Sequence, residues 1–187
     1  LFASLWPEDN RILFPHIFDL LKKYSNSKII LIPHELSDSI IGNYKTLAKE
    51  NNLSYKVIDG YVDMKNLEED VIIVNAVGIL YKLYWQSYIS YVGGGFSSGG
   101  IHNIMEPAVA SNPVVFGKNY SNSNFLEANQ LLNNSAAFSV SSSEDLMNTF
   151  TDLSDEDFYL HASNSSKNVI QNNLGSTKKL MSVIVDG

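Results

Sequence analysis

Short, unbroken apolar runs recur along this chain, separated by longer stretches in which apolar residues return every three or four positions. The first pattern is that of a strand buried on both faces, and the second is the stripe of an amphipathic helix. Lys28–Pro33 (KIILIP) is continuous, rich in β-branched residues and ended by a proline, so it reads as a buried parallel strand. Val71–Asn75, Ile89–Val92, Pro113–Phe116 and Ala137–Val140 read the same way, and Tyr55–Ile58 adds another. Between them the helical period appears. It runs behind Pro7, Glu8 and Asp9 with Ile12, Leu13, Ile17, Leu20 and Leu21, then over Ser37–Asn52, Ile79–Gln86, Asn103–Ala110 and Asn124–Leu132. Ser141–Glu144 and Ser154–Asp157 each look like a helix cap, and beyond Phe158 the pattern stays helical but rich in Asn and Ser, with Gly175 dividing it. Leu1–Ser4 reads as the tail of a strand whose start is missing, which predicts a fragment of a longer protein. The alternation predicts an α/β fold: a Rossmann-like, doubly wound parallel sheet with helices on both faces and ligands bound beyond the carboxyl ends of the strands.

Composition narrows this little but usefully. The 187 residues are 44% hydrophobic, enough for one domain with a real core. A net charge of −7 leaves no basic surplus to displace counterions, which argues against nucleic acid as the partner. Without cysteine there is no disulfide or thiolate metal site, and no apolar run approaches the roughly 20 residues that span a bilayer.

The chemistry concentrates in Tyr91–Pro107 (YVGGGFSSGGIHNIMEP), where a strand breaks into glycines and then opens a helical pattern. Glycines admit φ > 0 and close approach of a ligand, and a helix start presents N–H groups, so the segment reads as an anion-binding turn. The spacing is neither a Walker loop nor a clean GxGxxG. His102, Asn103 and Glu106 would share the first turns of the helix, with Glu106 accepting from the vicinal hydroxyls of a ribose. A parallel sheet would bring Ser4, Pro33-His34-Glu35, Asn75–Gly78, Gly93–Phe96 and Gly117-Lys118 to one rim. Each has a plainer reading. Pro33 can simply end its strand, Gly78 begin a helix, His102 bond to nearby backbone, Glu106 answer a helix dipole, and Lys118 be solvated. Glu68-Glu69-Asp70 reads as a solvated loop away from that rim. The chain has no GxSxG elbow, HExxH, or acid-rich calcium loop.

These residues resemble the C-terminal, donor-binding half of the 3-deoxy-D-manno-octulosonic acid (Kdo) transferases, inverting glycosyltransferases of the two-domain GT-B type. The resemblance rests on Ser4 with Glu8-Asp9, Ile32-Pro33-His34, Val77–Leu80 with Leu83-Tyr84, above all Val92–Tyr120, and the tail Gln171–Thr177. It implies a CMP-Kdo donor, a lipid A precursor as acceptor, and action at the cytoplasmic face of the bacterial inner membrane, with no metal and no cofactor beyond the donor. It implies that residues 1–187 form a single donor domain, whose helices from about 154 to 187 pack back toward a missing N-terminal domain. Donor-binding residues would be Ser4, Pro33 and His34 near the cytosine, Gly78, then Gly94, Gly95, Phe96 and Asn103 near the phosphate, Glu106 on the ribose, and Lys118. His34 stands where many members carry arginine, for which Lys118 is a candidate substitute, and Asn75-Ala76-Val77 lacks the usual Asp-Thr. The family's general base, its acceptor site and its membrane contact lie in the N-terminal domain, so the fragment alone is expected to be inactive. Two other readings stay open: a GT-B domain for another nucleotide sugar, such as a UDP-sugar transferase or epimerase, and a non-catalytic nucleotide-binding module.

Overall fold

The computed structural model describes residues 1–122 and 126–174. Seven strands form one parallel sheet: β1 (Phe2–Leu5), β2 (Ile29–Pro33), β3 (Tyr55–Ile58), β4 (Val71–Val74), β5 (Ser90–Val92), β6 (Val114–Gly117) and β7 (Ala137–Val140). Their order is β3-β4-β2-β1-β5-β6-β7, and all pairs are parallel. Sequence follows position in the sheet. Interior β4 is VIIV with every residue buried, whereas edge β3 is YKVI with only Ile58 buried. From β1 the chain passes to β2, skips to edge β3 and returns to β4, then crosses to β5 on the other side of β1, so the winding direction reverses between β1 and β5. In open α/β sheets that reversal opens a crevice at the carboxyl ends of the two strands.

Helices cover both faces, as the alternation predicts. One face carries α1 (Pro7–Leu13), α2 (Asp19–Lys23), α3 (Asp38–Glu50) and α7 (Ser143–Asp152), packed on Phe2, Leu31, Ile73, Tyr91 and Val115. The other carries α4 (Leu80–Tyr84) over Ile30, Ile72 and Val74, and α5 (Met105–Val109) and α6 (Leu126–Asn133) over Val92, Val114 and Phe116. The long α8 (Glu156–Asn173) contributes Ala162 to the first core and Val169 to the second, and packs on α5 and α6. Caps are present in both expected segments, where Ser142 accepts from Asp145 N–H and Asp155 from Phe158 N–H, and Ser37 caps α3 by accepting from Ile40 N–H.

Two expected helices differ. The stretch from Pro7 to Leu21 is two helices, because Pro15 has no N–H to donate and its ring opposes the carbonyl four residues earlier; a turn fills 14–18. The helix expected over Asn103–Ala110 is only Met105–Val109. Ile101 and Ile104 are buried in the loop before it, so core packing claims residues that the periodicity assigned to the helix. The start expected at Asn124 for the helix observed as α6, and the tail from Gly175 onward, lie outside the described residues.

Candidate functional site

The β1 exit sets the geometry of the crevice. The pairing register of β1 with β2 shifts between Phe2 and Leu5, and Ser4 takes a left-handed φ of 53°. For a non-glycine residue that conformation costs about 1–3 kcal/mol. It turns the Ser4 carbonyl against Gly93, so closely that a Cβ at Gly93 would collide with it. Likewise a Cβ at Gly94 (φ 91°) would strike the Gly100 carbonyl, and one at Gly95 would strike the backbone of Gly117. From the sequence these glycines admit a positive φ and the close approach of a ligand. In the fold they are first required by the protein's own backbone, which packs three strand exits against one another.

Asp9, in the first turn of α1, ties the exits together. Its side chain is fully buried and accepts from Tyr91 Oη (2.7 Å), Gly94 N–H (2.8 Å) and Trp6 N–H (2.9 Å). Burial outweighs these three bonds and raises its carboxyl above the usual range, and Tyr91, buried beside it, is pushed well up and stays a phenol. The Gly94 N–H is therefore spent on Asp9, and the Gly93 N–H on the Ala3 carbonyl at 2.8 Å. Any anion on this turn must be met by N–H groups beyond Gly94. Gly94 thus shapes the turn, its own N–H being held by Asp9.

Three rings line the mouth of the crevice. Trp6, just past β1, and His102, past the glycine turn, lie nearly parallel at 7°, and the indole N–H donates to His102 Nε2 at 2.6 Å. His34 stacks on both, with ring centroids 4.2 Å from Trp6 and 4.4 Å from His102. Desolvation, then the charge of His34, lowers the pKa of His102 below the ordinary 6.5, so it is neutral at neutral pH.

Asn103 and Glu106 meet as expected, but not on one helix. Asn103 precedes α5, accepts from Met105 N–H at 2.9 Å through Oδ1 and donates through Nδ2 to Glu106 Oε1 at 3.1 Å. One oxygen of Glu106 already carries a bond, so the carboxylate is oriented rather than wholly open. With five residues, α5 has little macrodipole to offer an anion.

Contacts run from Ser4 to Gly93, from Gly94 to His102 and on to His34, from Gly95 to Gly117, and from Asn103 to Glu106, while Phe96 packs against the first core and Pro33 pairs with Leu5 at the β1–β2 exit. Lys118 is exposed in the 3-10 turn that follows Gly117. Gly78 has a φ of 75° and lies in the exposed turn between β4 and α4, where a Cβ would meet nothing within 4 Å, so space does not demand a glycine there although the backbone conformation does. In the sequence Asp9 is only half of an acid pair and Trp6 carries no signal, because their contacts with Tyr91, Gly94 and His102 span 82–96 residues. A cavity of about 730 Å³ opens at the opposite, amino end of the sheet, lined by Phe2, Tyr24, Ile30, Tyr88 and Phe150, and shares no residue with this rim. Among the described residues no three acidic or histidine side chains cluster as metal ligands would. No helix among them is long and apolar enough to cross a membrane.

Protein-family models give no match. Among curated proteins, the chain is 35% identical over 174 residues to a 3-deoxy-D-manno-octulosonic acid transferase of Rickettsia prowazekii, covering 89% of this chain and 34% of that protein. To proteins of the same name it is 37% identical over 155 residues in Rickettsia conorii (82% and 32%) and 33% over 151 residues in Aquifex aeolicus (81% and 40%). The fold is also that of the crystallised C-terminal CMP-Kdo binding domain of WaaA from Acinetobacter baumannii, with a TM-score of 0.75 at 19% identity over 91% of this chain and 87% of that one. The chain spans about a third of the length of the curated relatives it matches. Over that span it belongs to the 3-deoxy-D-manno-octulosonic acid transferase family.

Proposed function

We propose that this chain is the donor-binding part of a Kdo transferase: it holds CMP-Kdo in the crevice between β1 and β5, and the whole protein passes Kdo to a lipid A precursor at the cytoplasmic face of the inner membrane. The observation that carries the reading is the coincidence of that kinship with a polar, glycine-shaped crevice at the reversal of strand order. The glycine turn beyond Gly94 and the exposed Lys118 suit the phosphate, Glu106 held by Asn103 suits the ribose, and Pro33, His34 and Gly78 suit the base side. In the transfer, an acceptor hydroxyl attacks the anomeric carbon, the bond from that carbon to the phosphate oxygen breaks, and CMP leaves with the electron pair. Donors preset around the phosphate stabilise the charge that develops on it. The proton of the hydroxyl goes to a base outside this chain, so these residues alone bind and do not transfer. No cofactor or metal is invoked.

Calorimetric titration with CMP, UMP and UDP tests the assignment. CMP should bind tightest, and Glu106→Ala should weaken it by about tenfold or more, the worth of a hydrogen bond to a charged group. Tighter binding of UDP, or CMP binding indifferent to Glu106→Ala, would sink it.

A further inference from the structure

An indole N–H can only donate, so the 2.6 Å contact from Trp6 Nε1 obliges His102 Nε2 to accept. Imidazolium, with two N–H groups, is thereby excluded, and the single ring proton of His102 must sit on Nδ1. That nitrogen has no hydrogen-bond partner among the described residues. It is also not sealed in the core, because no buried side-chain nitrogen or oxygen among the described residues lacks a partner. Its position is fixed on several sides. The His102 N–H donates to the Gly93 carbonyl at 3.1 Å, its Cδ2 edge faces Gly94, and His34 covers one ring face.

We infer that His102 is a binding residue of the donor site, presenting Nδ1–H to a phosphate oxygen of the nucleotide, and that Trp6 is its positioning residue, fixing this tautomer through the indole N–H. The inference rests on the donor reading above and adds two residues which that reading leaves out. The Nδ1–H form is the less common tautomer of free histidine, so the Trp6 bond selects it before any ligand arrives. A neutral, preset donor keeps its hydrogen bond across the neutral pH range, and nothing needs to reorient when the phosphate binds. With Gly93 and Gly94 N–H groups committed to the protein, His102 supplies a donor that the start of the turn no longer can.

Long-range ¹⁵N–¹H correlation spectra of the imidazoles read the tautomer directly. His102 should be Nδ1–H in the wild-type chain and move toward Nε2–H in Trp6→Phe, which keeps a ring against His34 but removes the indole N–H. Titration should then show CMP affinity reduced about 5- to 20-fold in Trp6→Phe. Affinity for cytidine, which has no phosphate, should be unchanged. His102→Phe should show the same loss for CMP alone. An Nε2–H form in the wild type would overturn the inference, as would undiminished CMP binding in Trp6→Phe, or equal losses for CMP and cytidine. If CMP does not bind the wild-type chain, the donor reading fails, and the role of His102 falls with it only if inorganic phosphate also leaves the ¹⁵Nδ1 signal unmoved.

Discussion

Asn112 and Asp9 are both buried polar side chains that gather three hydrogen bonds at opposite ends of the sheet, 3% and 0% exposed. At the amino end, Asn112 Nδ2 donates to the Tyr84 carbonyl and to the hydroxyls of Ser87 and Ser90 at 2.8–2.9 Å, and its own carbonyl accepts from Ser166. All those groups are neutral. At the carboxyl end, Asp9 is a carboxylate without a counter-cation in its hydrogen-bond shell, and the backbone around it holds left-handed φ values at Ser4, Gly94 and Gly100. Left-handed non-glycine residues flank both hubs, Ser111 (φ 61°) beside Asn112 and Ser4 (φ 53°) at the β1 exit, so what separates the two is that Asp9 buries a carboxyl and Asn112 a neutral amide. The buried carboxyl lies at the end where ligand chemistry is proposed, and the buried amide at the opposite end.

Removing each hub breaks the comparison most directly. Asp9→Ala leaves Tyr91 Oη and two backbone N–H groups unpaired and should cost about 3 kcal/mol in urea unfolding, with CMP affinity down at least tenfold as the turn loosens. Asn112→Ala should cost about 2 kcal/mol by the same measurement, with CMP affinity changed less than twofold. Ser166→Ala, which removes one donor to the Asn112 carbonyl, should cost about 1 kcal/mol and again spare binding. If Asn112→Ala and Asp9→Ala weaken CMP equally, the division between the two ends is wrong.

The smallest effect is a pH dependence confined to the carboxyl end. His102 has its pKa lowered by burial and by His34, so below the ordinary 6.5 the unfolded chain binds a proton that the native state resists. Stability from this source is complete above about pH 6.5 and is lost as pH falls below it. Chemical denaturation at a series of pH values should show that slope in the wild type and a shallower one in His102→Phe.

Much of this fold is legible in the sequence because each strand announces itself locally. VIIV and KIILIP need no long-range information to read as strands buried on both faces. The site is legible only in outline. Asn103 and Glu106 stand three apart, so their contact follows from spacing. The Asp9 contacts with Tyr91 and Gly94, and the Trp6 contact with His102, join segments that become neighbours only through strand order. The glycines carry a second ambiguity: a missing Cβ looks the same whether a phosphate or the Gly117 backbone takes its place. Pro15 was a visible signal, and its proper weight separates α1 from α2.

Ser166 lies on α8, and its hydroxyl donates to the Asn112 carbonyl at 2.8 Å and to the Ala136 carbonyl at 3.3 Å, while Ser163 donates to the Ser111 carbonyl at 2.7 Å. In a chain emerging from the ribosome, Asn112 precedes Ser166 by 54 positions. At about 5–20 residues per second, the amino end of the sheet therefore waits roughly three to ten seconds for these hydroxyls. Until α8 is made, Ala108, and then Leu131 and Ala136 as they emerge, lack its cover. The last described helix thus acts as a closing step in synthesis, supplying the hydroxyls that finish the amino end of the sheet.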